Sequence, residues 1–176
     1  MNQWIIPFCC LGLGVLNVPV QAAKLTVTSA AFDPGRPIPV KYTGQGEDFS
    51  PPLQWEGAPA ATKSFALICD DPDAPGGTWV HWVIYNLPPG APSLSENTPK
   101  SESLPGGGAQ GWNSFGKIGY GGPSPPAGKA HRYVFKLYAL DSLLTPQGRP
   151  NKEELLAAMR GHILAQGQLM GTYQRQ

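Results

Sequence analysis

The chain has 176 residues, enough for one domain with a hydrophobic core, and a formal net charge of +1. This near-neutral balance produces no broad basic field and argues against nucleic acid as a partner. Glycine and proline are abundant, at 22 and 20 residues, but they lie between apolar segments and form no repeat. They therefore predict the turns of a folded, β-rich domain.

The first 22 residues are predicted to be a secretory signal peptide that is cleaved after Ala22. Residues 5–16 are mostly apolar, and small residues precede the predicted cleavage site. The alternative is an uncleaved anchor, but the segment is interrupted by proline and glycine and falls short of a span of about 20 apolar residues. Cleavage would place the mature domain, residues 23–176, in the periplasm or outside the cell.

Cysteine usage agrees with a mature domain that has no disulfide. Removal of the signal peptide takes away Cys9 and Cys10 and leaves Cys69 alone. Cys69 ends the apolar stretch 65–68, and no basic residue adjoins it in sequence. This context predicts a buried, unreactive thiol.

Alternating and apolar runs predict a mainly β domain. In chain order, the predicted strands are 24–28, 38–42, 52–55, 64–69, 79–85, 133–140 and 164–173. One helix is predicted late in the chain, with Asn151 as its N-cap, an acidic first turn and a stop at Gly161. Many short strands and one late helix predict an antiparallel β-sandwich with a few peripheral helices.

Residues 88–129 show no long periodic segment, which is unusual for a simple connection. Aromatic residues at Trp112, Phe115 and Tyr120 favour an ordered loop over a disordered one. Loops of this length in compact domains tend to carry function.

Two rigid segments form the candidate site. Residues 70–75 are rich in aspartate and proline and lead to His81, while residues 119–126 are rich in glycine and proline and lead to His131. Each histidine lies close to the start of a predicted strand. Two histidines, several carboxylates and nearby aromatics are typical of a small polar pocket with stiff walls.

The same two segments resemble the signatures of the phosphatidylethanolamine-binding protein (PEBP) family, and specifically its bacterial Raf-kinase-inhibitor-like branch. The similarity extends over nearly all of residues 24–175, and one departure is Ser124, where bacterial members often carry cysteine. The matching stretches are Asp71-Pro72-Asp73-Ala74-Pro75 with Trp79 and His81, Gly111-Trp112-Asn113-Ser114-Phe115-Gly116, Gly119-Tyr120-Gly121-Gly122-Pro123-Ser124-Pro125-Pro126, and His131-Arg132-Tyr133.

The resemblance implies a PEBP-like antiparallel β-sandwich with a small anion-accepting pocket at one end. It also suggests a cis peptide between Ala74 and Pro75. The residues that it assigns to ligand binding are Asp71, Trp79, His81, Tyr120, Gly122, Pro125, His131 and Tyr133.

These residue types suit an anion. Histidines can donate ring N–H groups and gain charge near neutral pH, and Tyr133 can donate a phenolic hydrogen bond. The amides of Gly121 and Gly122 could approach an anion closely because no side chain shields them. Asp71 would orient a histidine or receive an ammonium group.

Simpler structural roles are the alternatives for single residues. Aspartates in a proline-rich turn often cap their own backbone, and a histidine next to tryptophans can be a core residue. The match of two segments to one family favours the site interpretation for Asp71, His81 and His131. No metal or cofactor is predicted, because no metal-ligand spacing is present.

The leading hypothesis is an exported, non-enzymatic protein that binds a small anionic or phosphorylated ligand such as a lipid headgroup. One alternative is an inhibitor that contacts an extracytoplasmic protease or kinase-like enzyme through residues 88–129. A minor alternative is a phospho-ester enzyme in which Asp71 and His81 or His131 act as acid and base. Contact with a membrane surface is left open, and so is the oligomeric state, with a homodimer as one option.

Overall fold

The computed structural model describes residues 23–175, so the predicted signal peptide lies outside the described residues. Within this range no helix is long and apolar enough to span a membrane. The strands are Ala23–Lys24 (β1), Thr26–Thr28 (β2), Leu53–Glu56 (β3), Ser64–Asp71 (β4), Trp79–Leu87 (β5), Ser93–Leu94 (β6), Ala109–Gln110 (β7), His131–Leu140 (β8) and Ile163–Tyr173 (β9), and the one α-helix in this range is Lys152–Ala158 (α1).

The strands form two sheets. The larger sheet has the order β1-β9-β8-β4-β5-β7, and the smaller one has the order β2-β3-β6. All pairs of strands are antiparallel except β1 with β9. The predicted antiparallel sandwich is confirmed, with α1 and a short 3-10 turn as the helices of the described chain.

The main core lies between the two sheets. Val27 and Leu53 of the small sheet belong to the same buried cluster as Phe65, Phe135 and Leu137 of the large one. In β8, alternate residues enter this cluster because successive side chains of a strand point to opposite faces. The central strand β4 is buried on both faces, which explains why its sequence is an almost continuous apolar run.

Helix α1 covers the outer face of the large sheet and confirms the predicted helix. Asn151 accepts a hydrogen bond from the backbone N–H of Glu154, whose side chain accepts one from the Asn151 N–H in return. Leu155 and Met159 are fully buried in a second cluster on this face. The chain then turns into β9 at Gly161, whose φ of 81° favours glycine.

Three local predictions differ from the structure. Residues 38–42 do not form a strand: bonding to the neighbouring strand ends at Ile38, and Val40–Tyr42 form a 3-10 turn after Pro39. The predicted strand 24–28 is divided at Leu25 between the two sheets. The long loop 88–129 contains β6 and β7, each of two residues, which are too short to produce a periodic signal.

Cys69 is 1% exposed and free, as predicted. Burial raises the pKa of its thiol well above the usual value, and the neighbouring carboxylates of Asp70 and Asp71 add to the effect. The thiolate is therefore scarce, and a thiol reagent cannot reach it. We expect folded protein of residues 23–176 to resist labelling by Ellman's reagent and to react with one equivalent after unfolding. Rapid labelling of the folded protein would contradict this placement.

Candidate functional site

A cavity of about 200 Å³ lies at one end of the large sheet, where β4 ends and β5 and β8 begin. The antiparallel register brings these three strand ends together, because Asp71 pairs with Trp79 and Asp70 with Val134. The cavity is lined by Asp71, Ala74, Pro75, Trp79, His81, Phe115, Ser124, Pro125, Pro126, His131 and Tyr133.

Asp71 and His131 form a buried pair in the wall of the cavity. Nδ1 of His131 lies 2.7 Å from Oδ2 of Asp71 and donates to it. The other oxygen of Asp71 accepts the backbone N–H of Asp73 at 2.8 Å. Asp71 therefore has two of the roles considered from the sequence. One oxygen caps the turn, and the other orients a histidine.

His81 lies deeper and is held by the long loop. Its Nδ1 donates to the carbonyl oxygen of Gly121 at 2.6 Å, and its ring makes an edge contact with Tyr133 at a centroid distance of 5.1 Å. Burial lowers the pKa of His81 below its usual value, although the Gly121 carbonyl and the Asp71 carboxylate act in the opposite direction. The neutral ring is therefore favoured in the folded protein.

The lowered pKa of His81 predicts an acid-sensitive contribution to stability. As the pH falls below about 6.5, the unfolded chain takes up a proton at this position before the folded one does, so the free energy of unfolding decreases until the folded pKa is passed. We expect His81→Gln to lose less stability than the wild type between pH 7.5 and pH 5 in urea unfolding. An equal loss in both proteins would show that His81 does not contribute.

The hydrogen bonds also set the tautomers of both histidines. Each Nδ1 carries the proton that it donates to Gly121 or Asp71, so in the neutral ring Nε2 is an acceptor. None of the hydrogen bonds within residues 23–175 uses either Nε2 atom. The cavity therefore gains two cationic N–H donors only when these rings are protonated.

Tyr133 contributes a buried hydroxyl. The residue is 1% exposed, and its oxygen has no hydrogen-bond partner among residues 23–175. Burial raises the pKa of Tyr133 far above its usual value, and the nearby Asp71 carboxylate adds to this although the two groups lack hydrogen-bonding geometry. The phenol is therefore protonated, and no protein group of the described chain accepts its O–H in hydrogen-bonding geometry, although the Asp71 carboxylate lies nearby.

The turn between β4 and β5 is clamped to β8. Both side-chain oxygens of Asp73 accept hydrogen bonds from the guanidinium of Arg132, at 2.9 and 2.7 Å, and Oδ2 also accepts the Arg132 backbone N–H. These hydrogen bonds lower the pKa of Asp73 to about 2.

The peptide bond between Ala74 and Pro75 is trans, so the expected cis peptide is wrong. The turn closes at Gly77, whose N–H donates to the Ala74 carbonyl and whose φ is 106°.

Six of the eight residues assigned to ligand binding line the cavity, namely Asp71, Trp79, His81, Pro125, His131 and Tyr133. Tyr120 and Gly122 do not. The Tyr120 hydroxyl donates to the carbonyl oxygen of Tyr42, and the Gly122 N–H donates to Oδ1 of Asp48 at 2.6 Å. The Gly121 N–H is also occupied, by the His81 carbonyl. The expectation of free glycine amides facing an anion is therefore wrong.

Phe115 is a wall residue that was not assigned to the site from the sequence. Its ring contacts both Trp79 and His81 at 5.4 Å, edge to face. Asn113 shapes the turn by accepting the N–H groups of Phe115 and Lys117 at its side-chain oxygen. Gly121 makes room for the ring, since a Cβ there would lie 2.7 Å from Phe115. The signal available in the sequence was the position of Phe115 within the family-like stretch 111–116.

Within the part of the chain that the structure describes, no group of three or more histidine, cysteine, aspartate or glutamate side chains is arranged to hold a metal ion. The polar groups of the site are two histidines, one buried carboxylate, one phenol and the Ser124 hydroxyl, surrounded by proline and aromatic surfaces.

The chain is similar to known proteins over most of its length. The family profile described as phosphatidylethanolamine-binding protein matches residues 28–174. A UPF0098 protein of Methanothermobacter thermautotrophicus is 53% identical over 84% of this chain and 97% of its own length. A UPF0098 protein of Aquifex aeolicus is 48% identical over 94% of this chain and 99% of its own.

Two solved structures share the fold. The crystal structure of a PEBP homolog from Chlamydia trachomatis has a TM-score of 0.80 and 44% identity, and it covers 88% of this chain and 99% of its own. Escherichia coli YbcL, described as a member of the mammalian PEBP family, has a TM-score of 0.80 and 33% identity, over 88% of this chain and all of its own. The chain therefore belongs to the phosphatidylethanolamine-binding protein family.

Proposed function

We propose that the protein is an exported, non-enzymatic binding protein whose cavity beside His81 and His131 takes a small anionic or phosphorylated group, such as the phosphate of a lipid headgroup. Membership of the family supports a binding role. The size of the cavity, about 200 Å³, suits a phosphate with a short substituent and leaves little room for a larger molecule.

The observation that carries this proposal is the Tyr133 hydroxyl. A buried hydroxyl without a partner costs free energy, and such groups in folded proteins usually have a role. An anion in the cavity would accept this hydrogen bond. It would also favour the protonated form of His81, and neither Nε2 atom of the two histidines has another partner among the described residues.

The charge of the two histidines sets the sign of the pH dependence. They offer Nε2–H donors only in their protonated form, so an anion whose own charge stays constant should bind more tightly at pH 6 than at pH 7.5. A bound anion should in turn raise the pKa of His81, which burial alone lowers.

The test is an NMR titration of residues 23–176 with inorganic phosphate and with phosphoethanolamine at pH 6 and pH 7.5. We expect saturable shifts at His81 and His131 with both probes. Tyr133→Phe should weaken binding about tenfold, the value of one hydrogen bond to a charged group, without loss of stability because no protein partner is removed. Tyr138→Phe is the matched control, since Tyr138 lies in the cluster under α1.

Two results would contradict the proposal. Flat titrations with both probes at both pH values would exclude an anion site in this cavity. Steady turnover of phospho-ester substrates, lost in His131→Ala, would instead favour the acid–base enzyme.

A second candidate is an inhibitor that acts through the 88–129 loop. The favouring observation is Trp112, which is 38% exposed and lies under the guanidinium of Arg149 at 5.4 Å. Gln110 of the same loop is buried and accepts the indole N–H of Trp82 at 2.6 Å, so a single surface substitution tests this idea without disturbing the core. Trp112→Ala should abolish inhibition of a target enzyme while phosphate binding stays unchanged. Retained inhibition would count against the loop.

A further inference from the structure

A second cavity, of about 280 Å³, lies directly beside the first, and Phe115 and Ser124 line both. The Phe115 ring is 41% exposed, and its edge contact with His81 places it against the first cavity. A ligand that extends from the first cavity would therefore meet Phe115 and Ser124 before it reaches the second.

The second cavity carries a net positive charge. Among its lining residues Asp48 is the one carboxylate, whereas Lys100 and Lys117 are both cations. Both oxygens of Asp48 are occupied, Oδ1 by the Gly122 N–H at 2.6 Å and Oδ2 by the Lys100 ammonium at 2.5 Å. The Lys117 ammonium has no carboxylate within 4.0 Å anywhere in residues 23–175.

The carboxylate and amide oxygens of the side chains around this cavity already accept hydrogen bonds, and donors remain. Asn113 accepts two backbone N–H groups at its side-chain oxygen and donates its amide to the Gly119 carbonyl. The Lys117 ammonium and the Ser124 hydroxyl remain, and neither makes a side-chain hydrogen bond within the described chain. A surface with spare donors and one excess positive charge favours an anion over a cation or an apolar group.

We infer that the natural ligand carries two anionic groups, one for the His81–His131 cavity and one for the cavity at Lys117, joined by a short chain that passes over Phe115. This inference rests on the proposed function, because it takes the first cavity as a phosphate site. It narrows the ligand class from any phosphorylated molecule to one with a second phosphate or carboxylate.

The experiment compares linear diol bisphosphates of four, six and eight carbons with the corresponding monophosphates, by calorimetry at constant ionic strength. We expect at least one bisphosphate to bind about tenfold more tightly than its monophosphate, because the second group binds intramolecularly. Lys117→Gln should remove this advantage and leave the monophosphate affinity unchanged. Lys63→Gln removes the same charge at the start of β4, the end opposite Asp71, and should retain the advantage.

The outcomes separate the two proposals. If phosphate and the monophosphates bind but no bisphosphate gains affinity, the second subsite is wrong and the first stands. The second subsite is equally wrong if the gain survives in Lys117→Gln or is lost to the same extent in Lys63→Gln. If neither phosphate nor any bisphosphate binds, both proposals fall together.

Discussion

Asp70→Asn is expected to lower the free energy of unfolding by about 2 kcal/mol, because it removes a buried carboxylate from two ion pairs whose ammonium groups are only partly exposed. The Asp70 side chain is 1% exposed, and its two oxygens accept the ammonium groups of Lys136 at 3.0 Å and Lys152 at 2.6 Å. Lys152 belongs to α1 and Lys136 to β8, so this carboxylate ties the helix to the sheet. Urea unfolding at pH 7 measures the change.

The matched control is Asp141→Asn. Asp141 also accepts a hydrogen bond from a basic side chain, from Nδ1 of His162 at 2.8 Å, but both side chains are more than 40% exposed. Solvent screens such a pair, so the loss should stay below about 1 kcal/mol. If the two substitutions cost the same, the buried position of Asp70 would have no special role in stability.

The second large effect is expected for Gly111→Ala, which should cost about 3 kcal/mol. A Cβ at Gly111 would lie 1.9 Å from the carbonyl oxygen of Pro150 and 2.9 Å from Val83. The Pro150 carbonyl is backbone and is held by the N–H of Trp112 at 3.0 Å, so it cannot move aside cheaply. The substitution would therefore separate the long loop from the segment that leads into α1.

Gly90→Ala provides the comparison for Gly111. A Cβ at Gly90 meets nothing within 4 Å, and its φ is not in the left-handed region. Its thermal unfolding should match that of the wild type, with a change in stability within about 0.5 kcal/mol. A Gly111→Ala protein of wild-type stability would mean that the loop and the Pro150 segment are not in close contact in solution.

Several features followed from local sequence because their physical causes are local. The central strands were recognisable because strands buried on both faces need nearly continuous apolar runs, as in β4 and β5. Helix α1 was predictable because the Asn151 side chain accepts a backbone N–H from the first turn of the helix. The family signature placed both Asp71 and His131 in the pocket, and the structure shows that His131 is the histidine that Asp71 orients, at 2.7 Å.

Other features depended on groups that are distant in the sequence. Gly122 and Tyr120 were assigned to the ligand pocket, but their polar groups bond to Asp48 and Tyr42, which are 74 and 78 positions away. Residues 38–42 have the composition of a strand, yet they turn because ladder pairing ends at Ile38. No sequence pattern indicates such long-range partners.

By itself, the sequence determined the mainly β fold, the family, the capped helix and the two segments that converge on the histidines, because these rest on periodicity, end-capping and recurring motifs. Only the tertiary structure decided that Phe115 forms a wall of the cavity and that the glycine amides of the loop are occupied. It also left the Tyr133 hydroxyl without a partner in the described chain. These last features depend on which backbone and side-chain groups meet when distant strands pack, and that is a property of the folded chain as a whole.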